Sequence, residues 1–178
     1  MIIHILFIYI VIIYIIKTYM PKYKFQKNDF NPILIISNIA ILSSGYYIIN
    51  IFFTILFNSI FNIKLHINQI LSEEALDFSS KYGYAYLCSL FFTNLLMIFL
   101  YVVVIDKAKK ILDFVLTNFF IHLVLSTINT GFPTKFLWWV LNGMIITAVT
   151  LISEFISLKI EQKEIKLDFS IGKKSKKI

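Results

Sequence analysis

Four stretches of the chain are apolar throughout: Ile33 to Ile63, Tyr84 to Ile105, Phe114 to Gly131 and Phe136 to Ser153. None contains Lys, Arg, Asp or Glu, and each approaches or exceeds the roughly 20 residues that an α-helix needs to cross a hydrocarbon core of about 30 Å. The pattern predicts an all-α, polytopic membrane helix bundle. Its four core transmembrane helices fall at about 33–57, 84–105, 111–131 and 133–157, within a membrane domain spanning 29–167. Residues 168–178 are left as a basic cytosolic tail.

The N-terminus adds a further hydrophobic segment. Met1 to Ile16 is apolar and Lys17 follows it, with neither the positive n-region nor the small-residue cleavage site of a secretory signal. A helix over Met1 to Met20 would be about 30 Å long at 1.5 Å per residue. The 1–20 extension is therefore either a fifth span, an interfacial helix, or the product of a misassigned start codon.

Local signals sharpen the boundaries. Pro32 and Pro133 are each placed to open a helix, where a missing N–H costs nothing. Between the first two spans, Ser72 followed by Glu73 and Glu74 predicts a short capped helix, with Leu71 and Leu76 as its hydrophobic staple. Asn129-Thr130-Gly131-Phe132-Pro133 is short enough to make the last two spans an antiparallel hairpin. Trp138 and Trp139 come next, at the depth where indole rings prefer the membrane interface. Past Ser157, the mixed lysines and glutamates of Lys159 to Lys166 predict that the last helix runs on into the cytosol.

Composition agrees with the pattern. The 178 residues are 58% hydrophobic and 15% charged, against about a quarter charged in soluble domains. The length suits one bundle and leaves little room for an extramembrane catalytic domain. The single cysteine, Cys88, excludes an intramolecular disulfide and a cysteine-based metal cluster. The net charge of +7 sits beside the spans rather than on a basic face, so it speaks for headgroups and topology and against nucleic acid. Lys22, Lys24 and Lys27 precede the first span, Lys107, Lys109 and Lys110 separate the second from the third, and more lysines follow the fourth. By the positive-inside rule these segments, and the C-terminus, face the cytosol. The 62–81 loop, with Glu73, Glu74 and Asp77, then faces the lumen.

Each span carries a small or polar face that predicts helix association: Ser37, Ala40 and Ser44; Ser89 and Thr93; Asn118, His122, Ser126 and Asn129; and Gly143, Thr147, Thr150 and Glu154. Ionisable groups inside spans default to functional hypotheses. His122 lies near mid-span, where it either bonds across the bundle or relays a proton. Glu154 is about one turn from the cytosolic end, placed to snorkel or to meet Lys107, Lys109 or Lys110. Asp113 sits in the first turns of the third helix, where the helix dipole favours a carboxylate. Phosphate loops, zinc-binding H-E-x-x-H and nucleophile elbows are all missing from the sequence. No catalytic residue, metal or cofactor is expected.

From Asp29 to Leu167 the chain resembles the Sys family of Golgi integral membrane proteins, receptors for an Arf-related small GTPase. The resemblance rests on Asn31-Pro32, Tyr46-Tyr47, Asp77-Phe78-Ser79, Leu112-Asp113-Phe114, His122, Phe132-Pro133, Trp138-Trp139, Glu154-Phe155 and Lys163-Glu164-Ile165, in that order. Asn31 departs from the family pattern by replacing an acid, Asn38 and Ser43 by replacing glutamines, and Lys166 by standing where proline is common. The resemblance implies recruitment of an N-acetylated Arf-related GTPase to late Golgi membranes, with golgin recruitment and vesicular protein transport downstream. Asn31, Pro32, Tyr46, Tyr47, Asp113, His122, Trp138, Trp139 and Glu154 become candidate partner-interface or bundle-contact residues. Two other classes compete: a small transporter or intramembrane enzyme centred on His122 and Glu154, and a subunit that only stabilises another membrane complex. The final Lys174-Ser175-Lys176-Lys177-Ile178 is similar to the dilysine signal read by retrograde vesicle coats, with Lys174 and Lys176 in register. It implies cycling between the Golgi and the endoplasmic reticulum. The bland reading is a basic tail attracted to membrane lipids.

Overall fold

The computed structural model describes residues 32–175 other than 67, 78 and 106, with the side chains of these residues except at 74 and 164–175. The 1–20 extension, Asn31 and Lys176 lie outside the described residues. Five α-helices follow one another: α1 (Pro32–Phe61), the single turn α2 (Asn68–Leu71), α3 (Lys81–Val104), α4 (Ile111–Thr130) and α5 (Phe136–Ser175). Short 3-10 turns at Glu73–Ala75 and Ala108–Lys110 complete the secondary structure of the described residues, which includes no strand. Four helices are long and apolar enough to cross a membrane: α1, α3, α4 with its preceding turn, and α5. The all-α bundle expected from the sequence is thus what the chain forms.

The helix ends follow from local chemistry. Pro32 is the first residue of α1, where its fixed φ suits the helix and its missing N–H would have had no partner. At the other end Asn62 takes a left-handed φ of 56°. Ile63 N then donates to Asn58 O at 2.8 Å and Asn62 N to Ser59 O at 3.4 Å, a Schellman-type stop built on Asn. The Ser80 side chain caps α3, accepting from Gly83 N at 3.2 Å. Gly83 is required here because a Cβ would overlap the carbonyl of Asp77. Gly131, at φ 93°, ends α4 and donates to Thr127 O; an L side chain at that φ would be strained.

Two boundaries differ from expectation. The 68–75 segment makes the single turn α2 and a 3-10 turn on either side of Ser72, whose N–H donates back to Asn68 O, rather than one helix capped by Ser72. Pro133 stays outside α5, which starts three residues later. Its carbonyl instead accepts from Trp139 Nε1 at 3.0 Å.

In the bundle α3 lies between α1 and α5, α5 also packs on α4, and a lighter contact of α4 with α1 closes the ring. Two apolar clusters fill it. One joins Leu42, Met97, Tyr101, Ile111 and Val149 near the 105–110 loop. The other joins Ala75, Leu76, Tyr86, Leu90 and Trp138 near the 62–80 loop. We call these ends the lysine end and the loop end.

Polarity in this bundle is inverted relative to a water-soluble one. Ile36, Phe91, Phe99, Ile128, Met144 and Leu151 point outward, whereas Asn50, Thr54, Asn58, Ser89, Thr93, Ser126 and Ser153 are buried. Lipid tails solvate Leu and Phe as well as a protein core does, so little is gained by hiding them. Polar side chains, which have no partner in hydrocarbon, turn inward.

This logic corrects two of the four predicted faces. Ser89 and Thr93 of α3 are fully buried as expected, and Asn118, His122 and Ser126 of α4 face the interior, whereas Asn129, the last of the predicted α4 face, is exposed and donates to Asn68 Oδ1. In α1, however, Ala40 and Ser44 are exposed, and the buried side runs through Leu42, Tyr46, Ile49, Asn50, Thr54 and Asn58. In α5, Gly143 and Thr147 are exposed, and the packed side runs through Trp138, Val149, Thr150, Ser153 and Ser157. That face is rotated by about a quarter turn from the predicted one. Thr150 lies on its rim.

At 40 residues, α5 is about 60 Å long at 1.5 Å per residue, twice a hydrocarbon core of about 30 Å. The last helix therefore continues well beyond the lysine end, as the sequence predicted.

Candidate functional site

Polar side chains from four helices converge mid-bundle. His122 of α4 is buried, and its Nδ1 is 3.2 Å from the hydroxyl of Tyr47 on α1. Its ring stacks on Trp138 of α5, with centroids 6.3 Å apart and planes 17° from parallel, and meets the edge of Tyr46 at 5.7 Å. His122 thus ties α1, α4 and α5 together, as expected of an interhelical hydrogen bond. Trp138 is a bundle contact rather than an interfacial ring: it is 1% exposed and belongs to the core. Trp139 is half-buried against Phe132.

Beside His122 lies a cavity of about 40 Å³, whose polar lining is Tyr46, Asn94, Tyr101, Asn118, His122 and Asn142. Asn94 and Asn142 each donate an amide N–H to their own helix, to Leu90 O and Trp138 O at 2.8 Å. Their carbonyl oxygens are left for other partners. Glu154, which the transporter reading joins to His122, does not line this cavity. Nor does it pair with Lys107, Lys109 or Lys110; among the described residues the Glu154 carboxylate makes no hydrogen bond or ion pair. Glu161, two turns further along α5, takes that place: its Oε1 accepts from Ala108 N at 2.7 Å. The first amide of a 3-10 turn is a better target than a flexible lysine side chain, because it is fixed in place and has no partner within the turn. Asp113 is exposed in the first turn of α4.

A polar ladder on α1 escaped the sequence reading. Tyr46, Asn50, Thr54 and Asn58 recur every fourth residue on its buried side, and Thr54 Oγ1 donates to Asn50 Oδ1 at 3.2 Å. At the loop end Asn58 and Gln69 exchange two hydrogen bonds, Asn58 Nδ2 to Gln69 Oε1 at 2.6 Å and Gln69 Nε2 to Asn58 Oδ1 at 3.0 Å. Both residues are buried. The i+4 spacing was visible in the sequence; the partner on α2 was not.

Glu73 closes the loop end. Its carboxylate accepts from Thr134 Oγ1 at 3.1 Å and Lys135 N at 2.7 Å, while Lys135 Nζ donates to Glu73 O. Nearby, Ser79 N–H donates to Asp77 Oδ1 at 2.9 Å. That bond, with the Ser80 hydroxyl, holds the Asp77 carboxyl below its ordinary range.

Residues 25–167 match the family model described as SYS1, "Integral membrane protein S linking to the trans Golgi network". The chain belongs to the SYS1 family. It is 31% identical over 153 residues to a Nematostella vectensis protein named "Protein SYS1 homolog", covering 85% of this chain and 97% of that one. A Dictyostelium discoideum protein of the same name is 29% identical over 147 residues, or 82% of this chain and 62% of the relative. No solved structure matches. The family description names an integral membrane protein, in keeping with four helices able to span. It places the family at the Golgi and names no enzymatic activity.

Proposed function

We propose that this SYS1-family protein is a non-enzymatic receptor that recruits an N-acetylated Arf-related small GTPase to late Golgi membranes, supporting golgin recruitment and vesicular transport. The observation that carries the reading is the family match over 25–167, which covers all four spans. An amphipathic N-terminal helix on a GTPase binds lipid weakly alone, and a second contact with an integral protein turns weak binding into retention. The lysine end is the surface we assign to that contact, with the positive-inside rule placing it in the cytosol.

Glu161 supports this choice. By holding Ala108 it joins the 107–110 loop to the protruding half of α5, so two separate segments form one platform. Exposed Lys109, Lys110, Lys159 and Lys163 surround it, with Leu158 and Ile160 also exposed. Lys159 Nζ lies 4.3 Å from the Phe155 ring centroid, where a cation is attracted to the ring face. The tail carrying Lys174 and Lys176 would add retrograde-coat capture and cycling with the endoplasmic reticulum. Adding two alanines after Ile178 moves the lysines out of register without changing charge, and should shift the steady-state distribution.

The deciding experiment is co-isolation from detergent with acetylated and unacetylated GTPase. Retention of the acetylated form alone is expected, and depletion of this protein should release the GTPase to the cytosol. Equal recovery of both forms, or unchanged localisation after depletion, refutes the receptor role. A tag at Ile178 cut by protease in sealed vesicles, with one in 72–80 protected, checks the orientation.

A further inference from the structure

The cavity beside His122 gathers polar side chains from all four long helices. Asn118 Oδ1 is buried and has no hydrogen-bond partner among the described residues, and it lines the cavity together with Tyr101. Asn94 and Asn142 have their amide N–H groups committed to Leu90 O and Trp138 O, so each presents a carbonyl oxygen. Three helices, α3, α4 and α5, therefore bring amide groups to a space whose polar lining also includes the hydroxyls of Tyr46 and Tyr101. In hydrocarbon such acceptors have no outside partner, and a buried acceptor left unpaired is costly.

A volume of about 40 Å³ is room for two or three water molecules, since one needs roughly 10–15 Å³ by this measure together with several polar partners. Each water brings two donors. We propose that this intramembrane cavity is a constitutive water site, in which two or three waters donate to Asn118 Oδ1 and to the amide oxygens of Asn94 and Asn142, linking α3, α4 and α5. The site is independent of the GTPase reading. It gives the polar residues at mid-bundle a common role: they hold a hydrated joint between helices whose other contacts are apolar.

Radiolytic labelling tests this, because hydroxyl radicals born from bound water oxidise the side chains around it. Met97 is 1% exposed and lines the cavity, whereas Met144 faces outward at 65%. In lipid nanodiscs Met144 is surrounded by acyl chains, so it reports a dry site. The expected result is oxidation of Met97 several-fold faster than of Met144, and loss of that excess in Asn118→Leu, which removes the acceptor and fills the space. Asn118→Ala, which enlarges the cavity, should keep or raise the Met97 rate and covers the case in which the leucine variant fails to fold. Equal rates at Met97 and Met144, an undiminished rate in a folded Asn118→Leu protein, or a lowered rate in Asn118→Ala overturns the proposal. So does a Met97 rate that collapses when choline replaces sodium and potassium, which would assign the cavity to a cation.

Discussion

Asn58→Leu should destabilise the bundle, and Gln69→Leu should relieve part of the loss. The two amides are 3% and 1% exposed and bonded to each other twice. Removing one partner leaves the other with a buried donor and a buried acceptor, neither of which water can reach. Hydrogen bonds between membrane helices contribute about 0.6 kcal/mol on average and at most about 1.7. Two bonds therefore give a coupling of roughly 1–3 kcal/mol. Each single variant should lose at least that much, and the double variant much less than the sum, because paired apolar replacements leave nothing unsatisfied. The assay is equilibrium unfolding in mixed dodecylmaltoside and SDS micelles, followed by far-UV circular dichroism, for all four corners of the cycle. Additivity within about 0.5 kcal/mol would refute the idea that the pair acts as a unit.

Other expectations follow from single contacts. Gly83→Ala should abolish folding or force the 77–83 turn open, since its Cβ overlaps the Asp77 carbonyl; near-wild-type thermal stability would contradict the turn. His122→Gln should keep the bond to Tyr47 and full GTPase retention, because an amide both donates and accepts. His122→Leu should lose about 1–2 kcal/mol of stability in micelles, and equal stability of the two variants would remove the bond from the account. Asp77 is depressed in the folded loop by the Ser79 and Ser80 bonds, so its contribution is present above the unfolded carboxyl value near 3.8 and fades as pH falls through the lower folded one. Hydrogen exchange at residues 79–84 should therefore quicken below about pH 4, and Asp77→Asn should remove that pH dependence.

The spans were legible because hydropathy alone marks a helix that lipid can accept. Which way each helix faces was less so, and the reason is chemical. A Ser or Thr hydroxyl can bond the carbonyl one turn back: Ser44 Oγ donates to Ala40 O and Thr147 Oγ1 to Gly143 O. Thus satisfied, it faces lipid without penalty, so stripes of small residues do not distinguish inside from outside. Asparagine and glutamine cannot hide both amide ends so easily, and Asn50, Asn58 and Gln69 all turn inward. Asn129, at the loop end of α4, is exposed and finds its partner in Asn68 instead. Glu154 and Glu161 looked alike in sequence, and only the position of the 105–110 loop decides that Glu161 reaches Ala108. His122 and its bond were readable, while the stacking of Trp138 on it was not, because two adjacent tryptophans lie on different sides of one helix.

The holding of α5 at two points bears on how the protein is made. Glu73 holds Lys135 N and Glu161 holds Ala108 N, so each contact joins α5 or its leading turn to a segment synthesised earlier. Until the last helix leaves the ribosome and enters the bilayer, Glu73 has no Thr134 or Lys135 to bind, the 107–110 turn has no carboxylate, and Trp138 has not covered His122. An unfinished chain therefore leaves His122 uncovered within the bundle and two loops without their partners. Completion of α5 is the event that closes all three contacts, so the earlier spans reach their final packing only after the last one is in place.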